Sequence, residues 1–292
     1  MILSALFTLA SALSASPALL ACGDDQVRRY ELAAEGPRET WRWDASEAEN
    51  LPQGFRAGLL EKIDECKPVA DGRVLITAST GGVVLLDGAS GDVLFRAEAP
   101  MAHSAAVLPG DRIAVALSIH DRGDRLNVYD LTDGEKPVLS LPLPSGHGAV
   151  WDAERQRLFA LSHDTIQAFA LVDWEGDEPR LQETARWTLP GARDGHDLSR
   201  AADGSDYLVT THDGAWRFDP EANAFKALEP LNPALQVKSV DIDAEGRLAW
   251  VKAEERWWAF GFSVMQDGRV VRVPINDMHL YKVRWIPAPP RP

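Results

Sequence analysis

Six basic or imidazole side chains recur along the chain in steps of 36 to 49 residues. Each lies at the start of a unit of short apolar runs, and they are Lys67, His103, His147, His196, Lys238 and Lys282. Neutral imidazoles that converge on one point bind Zn, Mn or Fe and leave coordination positions for water or substrate. Lysines held close together lower each other's pKa and attract an anion. These residue types therefore predict a site for an anionic ligand, with or without a divalent metal.

The elements that carry these residues are predicted to be β-strands. Runs such as "RVLITAS", "RIAVALS", "RLFALS" and "RLAWVK" are rich in apolar residues and are bounded by Gly, Asp, Asn or Pro. No segment of 12 residues shows a helical period; "AGLLEKI" at 57–63 is the best helical candidate and is short. Units of about four strands with this repeat length are typical of propeller blades. We predict an all-β fold, a six-bladed β-propeller.

The closing blade depends on how "PALLACGDDQVRRYEL" at 17–32 is interpreted. It could end a lipoprotein signal, with Cys22 as the lipidated first residue. Alternatively, Leu19–Cys22 and Gln26–Leu32 are two strands around a Gly-Asp-Asp turn. The last unit, "HLYKVRWIP", supplies one strand, so the missing strands must come from residues 19–45. The unit count therefore favours strands, and a last blade closed by the N- and C-terminal strands.

Residues 1–18 are apolar and small and contain no Lys or Arg. They resemble an export signal with cleavage options near Ala12, Ala15 or Ala18, and the alternatives are a misassigned start or a disordered leader. We predict a periplasmic or extracellular protein with a signal peptide at 1–18, the propeller at 19–287 and a Pro-rich tail at 288–292. Nothing in the sequence is long enough for a transmembrane segment. Cys22 and Cys66 form either a disulfide or two buried thiols.

Composition excludes one class of partner. The 292 residues carry a net charge of −14 with a pI near 4.9, which argues against general nucleic-acid binding. No GxSxG elbow, Walker loop, dinucleotide fingerprint or HExxH is present. We expect a monomer that binds a small anionic ligand or an acidic saccharide.

The first strand of a propeller blade lines the central channel, so the six repeated residues should surround one mouth of it. A histidine half would hold Mn or Zn through His103, His147 and His196. A lysine half, Lys67, Lys238 and Lys282, would bind the anion, with Lys238 or Lys282 as catalytic base. The other four histidines should lie at the same end: His120, His163, His212 and His279. In the alternative, the lysines form salt bridges to Asp64, Glu65, Asp241 or Asp243, and the histidines satisfy strand-end backbone groups.

Several stretches together resemble a bacterial propeller family catalogued as a domain of unknown function. They are "DECKPVADGRVLITASTGGVVLLD", "AHSAAVLPGDRIAVA", "SGHGAVWD", "DGHDL", "VKSVDID" and "LYKVRW". The resemblance covers about Leu19 to Ile286 and supports the strand interpretation of the first blade segment. More distantly, the histidine-rich mouth is similar to oligogalacturonate lyases. That similarity implies an axial metal held by His103, His147 and His196, although lysines occupy half of this ring.

These features predict two different functions. In the first, the mouth binds an anionic molecule or acidic saccharide, and any enzyme activity would be that of a metal-assisted lyase or hydrolase. In the second, the chain is a non-catalytic propeller scaffold that binds protein or glycan through one face.

Overall fold

The computed structural model describes residues 16–69, 71–132 and 134–288. Most of the predicted signal, residues 1–15, and the end of the Pro-rich tail, residues 289–292, lie outside the described residues. The described ranges contain 24 strands in six antiparallel sheets of four, as the alternation of apolar runs and turns predicts. The prediction of an all-β, six-bladed propeller is confirmed.

Four complete blades follow one another along the chain. The first contains β4–β7: Ile63–Pro68, Arg73–Ala78, Gly82–Asp87 and Val93–Glu98. The second contains β8–β11: Ala102–Leu108, Arg112–Leu117, Arg125–Asp130 and Pro137–Pro142. The third contains β12–β15: Gly148–Asp152, Arg157–Leu161, Thr165–Val172 and Arg180–Thr188. The fourth contains β16–β19: Asp197–Arg200, Tyr207–Thr210, Ala215–Asp219 and Ala224–Ala227.

Two further blades complete the circle. The fifth contains β20–β23: Val237–Ile242, Leu248–Lys252, Gly261–Gln266 and Arg269–Pro274. The sixth has the order β24-β1-β2-β3, with the strands Leu280–Trp285, Ala18–Gly23, Gln26–Ala33 and Gly36–Asp44. Its inner strand therefore comes from the C-terminal end and the other three come from the N-terminal end. Strands from near both ends of the chain thus pair in one sheet, which closes the circle.

The closing blade decides between a lipoprotein signal and a pair of strands for residues 17–32. Leu19 pairs with Trp285 across β1 and β24, and Cys22 pairs with Val27 in β2. Cys22 is fully buried inside β1, so the strand interpretation is confirmed. Cys22 and Cys66 belong to the same apolar cluster between the sixth and first blades, and both thiols are free.

Apolar side chains fill the spaces between neighbouring blades, and the innermost strands contact one another around the axis. Helical structure in the described ranges is limited to single turns at Ala45–Glu47, Phe55–Leu59 and Pro190–Ala192. None of the described helices has the length and apolar character needed to cross a bilayer. The fold thus places the starts of the six inner strands around one end of the axis.

Candidate functional site at the channel mouth

A β-bulge in the innermost strand selects the residue that faces the mouth. In the second blade, the pairing with β9 passes from Ala102 to Ser104 and leaves His103 as the extra residue. Lys238 is the extra residue of β20 in the same way. An extra residue bends the strand and gives its side chain a different direction from its neighbours. The bulge therefore presents one side chain of each such strand at its start.

The same bulge shows that the sequence alignment of the first and sixth blades was out of register. The extra residue of β4 is Asp64, three positions before Lys67, and that of β24 is Tyr281, directly before Lys282. His147 and His196 lie directly before β12 and β16, and both donate a backbone N–H to the end of the neighbouring strand. We define the channel mouth by six residues, one from each blade: Asp64, His103, His147, His196, Lys238 and Tyr281.

The rings of the three mouth histidines lie next to one another. The ring centroids of His103 and His147 are 4.4 Å apart, and those of His147 and His196 are 5.8 Å apart. His103 is 7% exposed, and the other two are partly exposed. They form a row of imidazoles along one side of the mouth.

Backbone carbonyls fix the tautomers of two of these imidazoles. Nδ1 of His103 lies 2.9 Å from the carbonyl oxygen of Met101, and Nδ1 of His147 lies 2.8 Å from that of Ser145. A carbonyl oxygen only accepts, so Nδ1 carries the proton and Nε2 of the neutral ring keeps a lone pair. Burial and the neighbouring His103 lower the pKa of His147 well below its usual range. The neutral ring of His147 is therefore a hydrogen-bond acceptor at Nε2.

Lone pairs on Nε2 are also what a divalent ion would require. Within the described residues, however, no group of three or more His, Cys, Asp or Glu side chains is arranged to hold a metal ion. This gives the metal prediction for His103, His147 and His196 no support.

Lys238 supplies the positive charge of the mouth. Its side chain is buried, with 4% of the residue exposed, and its Nζ lies 3.4 Å from Nε2 of His196. No carboxylate of the described residues lies within ion-pairing distance of this ammonium. Burial lowers the pKa of Lys238 to about 8, although the charge of Asp194 opposes this; Lys282 adds to the lowering. Burial and the charge of Lys238 lower the pKa of His196 to about 3, so this ring is neutral.

Asp64 and Tyr281 belong to the mouth but were not predicted there. Asp64 accepts a hydrogen bond from the backbone N–H of Ser79, and burial raises its pKa although the neighbouring His103 opposes this. Burial, with a contribution from Asp64, raises the pKa of Tyr281 well above its usual range. The signal for both residues is the bulge register, which a sequence alignment anchored on the lysines does not contain.

Beneath the mouth, four charged side chains form a cluster that we call the axial ion cluster: Glu65, Asp197, Lys282 and Arg284. Nε and Nη2 of Arg284 donate to both oxygens of Glu65 at 2.9 and 2.8 Å. Nη1 and Nη2 also donate to both oxygens of Asp197 at 2.9 and 2.5 Å. Arg284 thus holds two carboxylates in bidentate fashion, the strongest geometry for such pairs.

Lys282, predicted as a ligand-binding and catalytic residue, is part of this cluster. It is 0% exposed, and its Nζ lies 2.9 Å from Asp197 and 3.4 Å from Glu65. Burial would lower the pKa of Lys282, but the two carboxylates raise it. Burial would raise the pKa of Glu65, but the positive charges of Arg284 and Lys282 lower it to about 2. The salt-bridge alternative therefore describes Lys282, which has neither access to a ligand nor a base-like pKa.

Lys67, also predicted to bind a ligand, points across the channel. Its Nζ donates to Ser104 Oγ at 2.8 Å and to the carbonyl oxygens of Ala105 and Ala149 at 3.1 and 2.6 Å. Glu65 lies 3.7 Å away. An ammonium has three protons, and these three acceptors account for all of them. Lys67 therefore joins neighbouring blades and has no donor left for a ligand.

The four remaining histidines lie farther out at the same end, in the loops that the sequence predicted. Nδ1 of His163 and Nδ1 of His212 lie 3.5 and 3.7 Å from the two oxygens of Asp194. His279 contacts Asp24 in the turn between β1 and β2. His120 accepts a hydrogen bond from the backbone N–H of Arg122. These side chains surround the mouth without lining the axis.

These features define the class of the molecule: a six-bladed β-propeller with a polar channel mouth above a buried ion cluster. The chain belongs to a family whose function is not established, because residues 24–288 match the model described as "Family of unknown function (DUF6528)". This confirms the resemblance to a propeller family of unknown function, while the similarity to oligogalacturonate lyases stays a prediction. No curated protein matches the chain.

Two solved structures illustrate the fold. A chain in "Crystal structure of Nidogen/Laminin Complex" is similar with a TM-score of 0.63 and 16% identity, over 94% of this chain and 99% of that one. A chain in "Kuenenia stuttgartiensis Hydrazine Synthase" is similar with a TM-score of 0.50 and 11% identity, over 75% of this chain and 68% of that one. At these identities the likeness concerns the fold alone.

Proposed function

We propose that the channel mouth binds a hydroxylated organic anion, such as an acidic saccharide or a sugar acid. The observation that carries this proposal is the buried ammonium of Lys238, which has no carboxylate partner among the described residues. A buried charge without a counter-ion is costly, and an anionic ligand removes that cost. The local positive charge of Lys238 also attracts an anion to the surface of a protein whose net charge is −14.

The remaining mouth residues favour hydroxyl groups on the same ligand. Nε2 of His103 and of His147 accept hydrogen bonds in the neutral rings, and Asp64 accepts them when ionised. Acceptors of this kind repel a simple anion but match the O–H donors of a sugar. A ligand whose carboxylate pairs with Lys238 and whose hydroxyls donate to the imidazoles would match both sides of the mouth.

Isothermal titration calorimetry with three probes tests this arrangement. We expect glucuronate to bind more tightly than glucose, which has no charge, and than propionate, which has no hydroxyl. Lys238→Met should weaken glucuronate binding by about tenfold or more, because a charge-assisted contact contributes about 1.5–3 kcal/mol. Lys252→Met is the matched control, since Lys252 is exposed in the same blade. Equal glucuronate affinity in the Lys238 variant and the wild type would contradict the proposal.

The pH dependence supplies a second test. Because the pKa of Lys238 is about 8, its ammonium loses its proton as the pH rises through that value. Glucuronate affinity should therefore fall between pH 7 and pH 9 in the wild type and stay level in Lys238→Met. An affinity that is flat with pH in both proteins would exclude Lys238 as the anion-binding group.

A more specific proposal is that the mouth is the active site of a metal-assisted lyase or hydrolase. A lysine with a pKa near 8 is a better general base at neutral pH than an ordinary lysine, so Lys238 is the candidate base. A Mn²⁺ or Zn²⁺ ion would be held by His103, His147 and His196. Metal analysis of the purified protein, with His147→Ala as the comparison, tests this; equal and negligible metal content in both would overturn it.

A non-catalytic scaffold for glycan or protein binding is favoured by one separate observation. Trp257 is 60% exposed at the same end of the propeller, and its ring lies 6.4 Å from that of Trp258, which is 5.1 Å from His279. Exposed indole rings stack on sugars and dominate many interfaces. If this surface is the functional one, Trp257→Ala should abolish partner binding and replacement of His103, His147 and His196 by Ala should leave it intact.

Export to the periplasm or the cell exterior is also proposed, from the composition of residues 1–18. Mass spectrometry of the mature N-terminus tests it. A mature chain that still begins at Met1 would contradict export by a cleaved signal.

A further inference from the structure

A cavity of about 140 Å³ lies outside the mouth, between the first and second blades. Its lining comes from the turn Phe55–Leu59, the turn after β5, the end of β7 with the segment before β8, and the loop between β9 and β10: Leu59, Ser79, Thr80, Gly81, Glu98, Pro100, Met101, His120 and Arg122. An apolar cavity of about 150 Å³ holds one benzene molecule, so this volume suits a single ring or a short chain.

One side of this cavity is lined with hydrogen-bond donors. Nδ1 of His120 accepts the backbone N–H of Arg122 at 3.0 Å, so Nε2 of the neutral ring carries the proton and donates. The guanidinium of Arg122 forms neither an ion pair nor a hydrogen bond with any described residue. A free guanidinium matches a carboxylate in bidentate geometry.

The opposite side of the cavity is apolar. Leu59, Pro100 and Met101 supply aliphatic surface and a thioether, which adapts to rings of different shape. Glu98 is the one acidic residue of the lining; its carboxylate is exposed and unpaired within the described chain, and its carbonyl oxygen accepts from Tyr129. The lining therefore combines an apolar body with a polar end that holds the guanidinium of Arg122, the imidazole of His120 and the exposed carboxylate of Glu98.

The cavity is distinct from the channel mouth, although two of its lining residues contact residues of the mouth. Ser79 donates its backbone N–H to Asp64, and the carbonyl of Met101 orients His103. These contacts hold the walls in place from the axis side, while His120 and Arg122 come from the loop between β9 and β10 and Glu98 from the end of β7.

We propose that this cavity is a second binding site, for a small monocarboxylate with an apolar body. The carboxylate pairs with Arg122 and with Nε2–H of His120, and the body packs against Leu59 and Met101. This site does not depend on ligand binding at Lys238, so each can exist without the other.

Calorimetric titration of the full-length protein with benzoate tests the site. We expect benzoate to bind at least tenfold more tightly than acetate, which lacks the ring, or benzyl alcohol, which lacks the charge. Arg122→Gln should weaken benzoate binding by about tenfold or more, because it removes a charge-assisted contact. Arg122 is exposed, so this variant should fold normally.

The matched control is Arg125→Gln, which removes the same charge three residues away and outside the cavity lining. We expect it, and Lys238→Met, to change benzoate affinity less than twofold. Loss of benzoate binding in Lys238→Met with unchanged binding in Arg122→Gln would place benzoate at the mouth and overturn the proposal. Equal binding of benzoate and benzyl alcohol, or no benzoate binding by the wild type at 10 mM (roughly −3 kcal/mol), would overturn it as well.

Discussion

The channel mouth and the axial ion cluster arise from the same part of the inner strands but differ in their chemistry. Lys238 and Lys282 show the difference most directly, since each lies near the start of its strand and both are buried. Lys282 lies between two carboxylates, which raise its pKa. Lys238 faces an imidazole, and burial lowers its pKa to about 8.

Position along the strand determines where a charged side chain lies. The charged groups that it contacts determine its pKa and whether a ligand can bind it. Desolvation acts against both ammonium groups. In the ion cluster, Glu65 and Asp197 compensate for it, so the charges stabilise one another and are unavailable to a ligand. At the mouth, Asp194 opposes the desolvation of Lys238 only in part, and the pKa of this lysine stays lowered to about 8. The mouth is therefore the region in which a ligand can add stability.

The largest expected effect comes from breaking the ion cluster. Arg284→Met removes the partner of two buried carboxylates, and we expect a loss of about 3–5 kcal/mol in the free energy of unfolding, as for other broken buried pairs. Urea denaturation measures it. Arg186→Met, which removes an exposed arginine paired with Glu183, is the control and should cost about 1 kcal/mol or less. Equal losses in the two variants would remove the distinction between the regions.

A second prediction compares the two lysines directly. Lys282→Met should lower the free energy of unfolding by about 2–4 kcal/mol, because Asp197 and Glu65 lose a buried partner. Lys238→Met should leave it unchanged or raise it by about 1–3 kcal/mol, because it removes a desolvated charge without a carboxylate partner. The test is urea denaturation at pH 7 and low anion concentration. Losses of similar size in both variants would show that Lys238 is compensated in the folded protein.

A third prediction concerns acid. The folded pKa values of His147 and His196 lie below the value near 6.5 of the unfolded chain, so the unfolded chain binds more protons below pH 6.5. Stability should therefore fall as the pH drops from 6.5 to 4, by up to about 1.4 kcal/mol per pH unit for each histidine. The variant His147→Gln/His196→Gln should lack this component.

The difference between the two proteins isolates the histidines, because Asp241 is present in both. Burial raises the pKa of Asp241 to about 7, and this group has the opposite effect on stability over the same pH range. A stability difference between wild type and variant that does not change between pH 6.5 and 4 would show that the two imidazoles are not buried as neutral groups.

The smallest expected effect is at the outer histidines. His163 and His212 face Asp194 with 47% and 31% of their side chains exposed. Replacing each by Gln should change the free energy of unfolding by less than about 0.5 kcal/mol and glucuronate affinity by less than about twofold. A larger loss of affinity would extend the ligand site beyond the mouth as defined.

The repeat length, the strand pattern and the need for a closing blade were sufficient to predict the fold. They were also sufficient to place His103, His147, His196 and Lys238 at one mouth, because each begins an inner strand. The alternation of side chains along a strand carries a further signal, since residues two apart face the same side. Lys282 and Arg284 lie two residues apart in "YKVRW" and face the same side, which indicates two charges within the channel.

The sequence by itself determined that six similar units must close on each other, because each unit needs neighbours to bury both faces of its sheet. It also determined which residue types gather at the axis. Only the tertiary structure decided their roles. The bulges set whether Asp64 or Lys67 faces the mouth, and carboxylates contributed by the first and fourth blades fix the charge of Lys282. These contacts join residues more than 80 positions apart, so no local pattern encodes them.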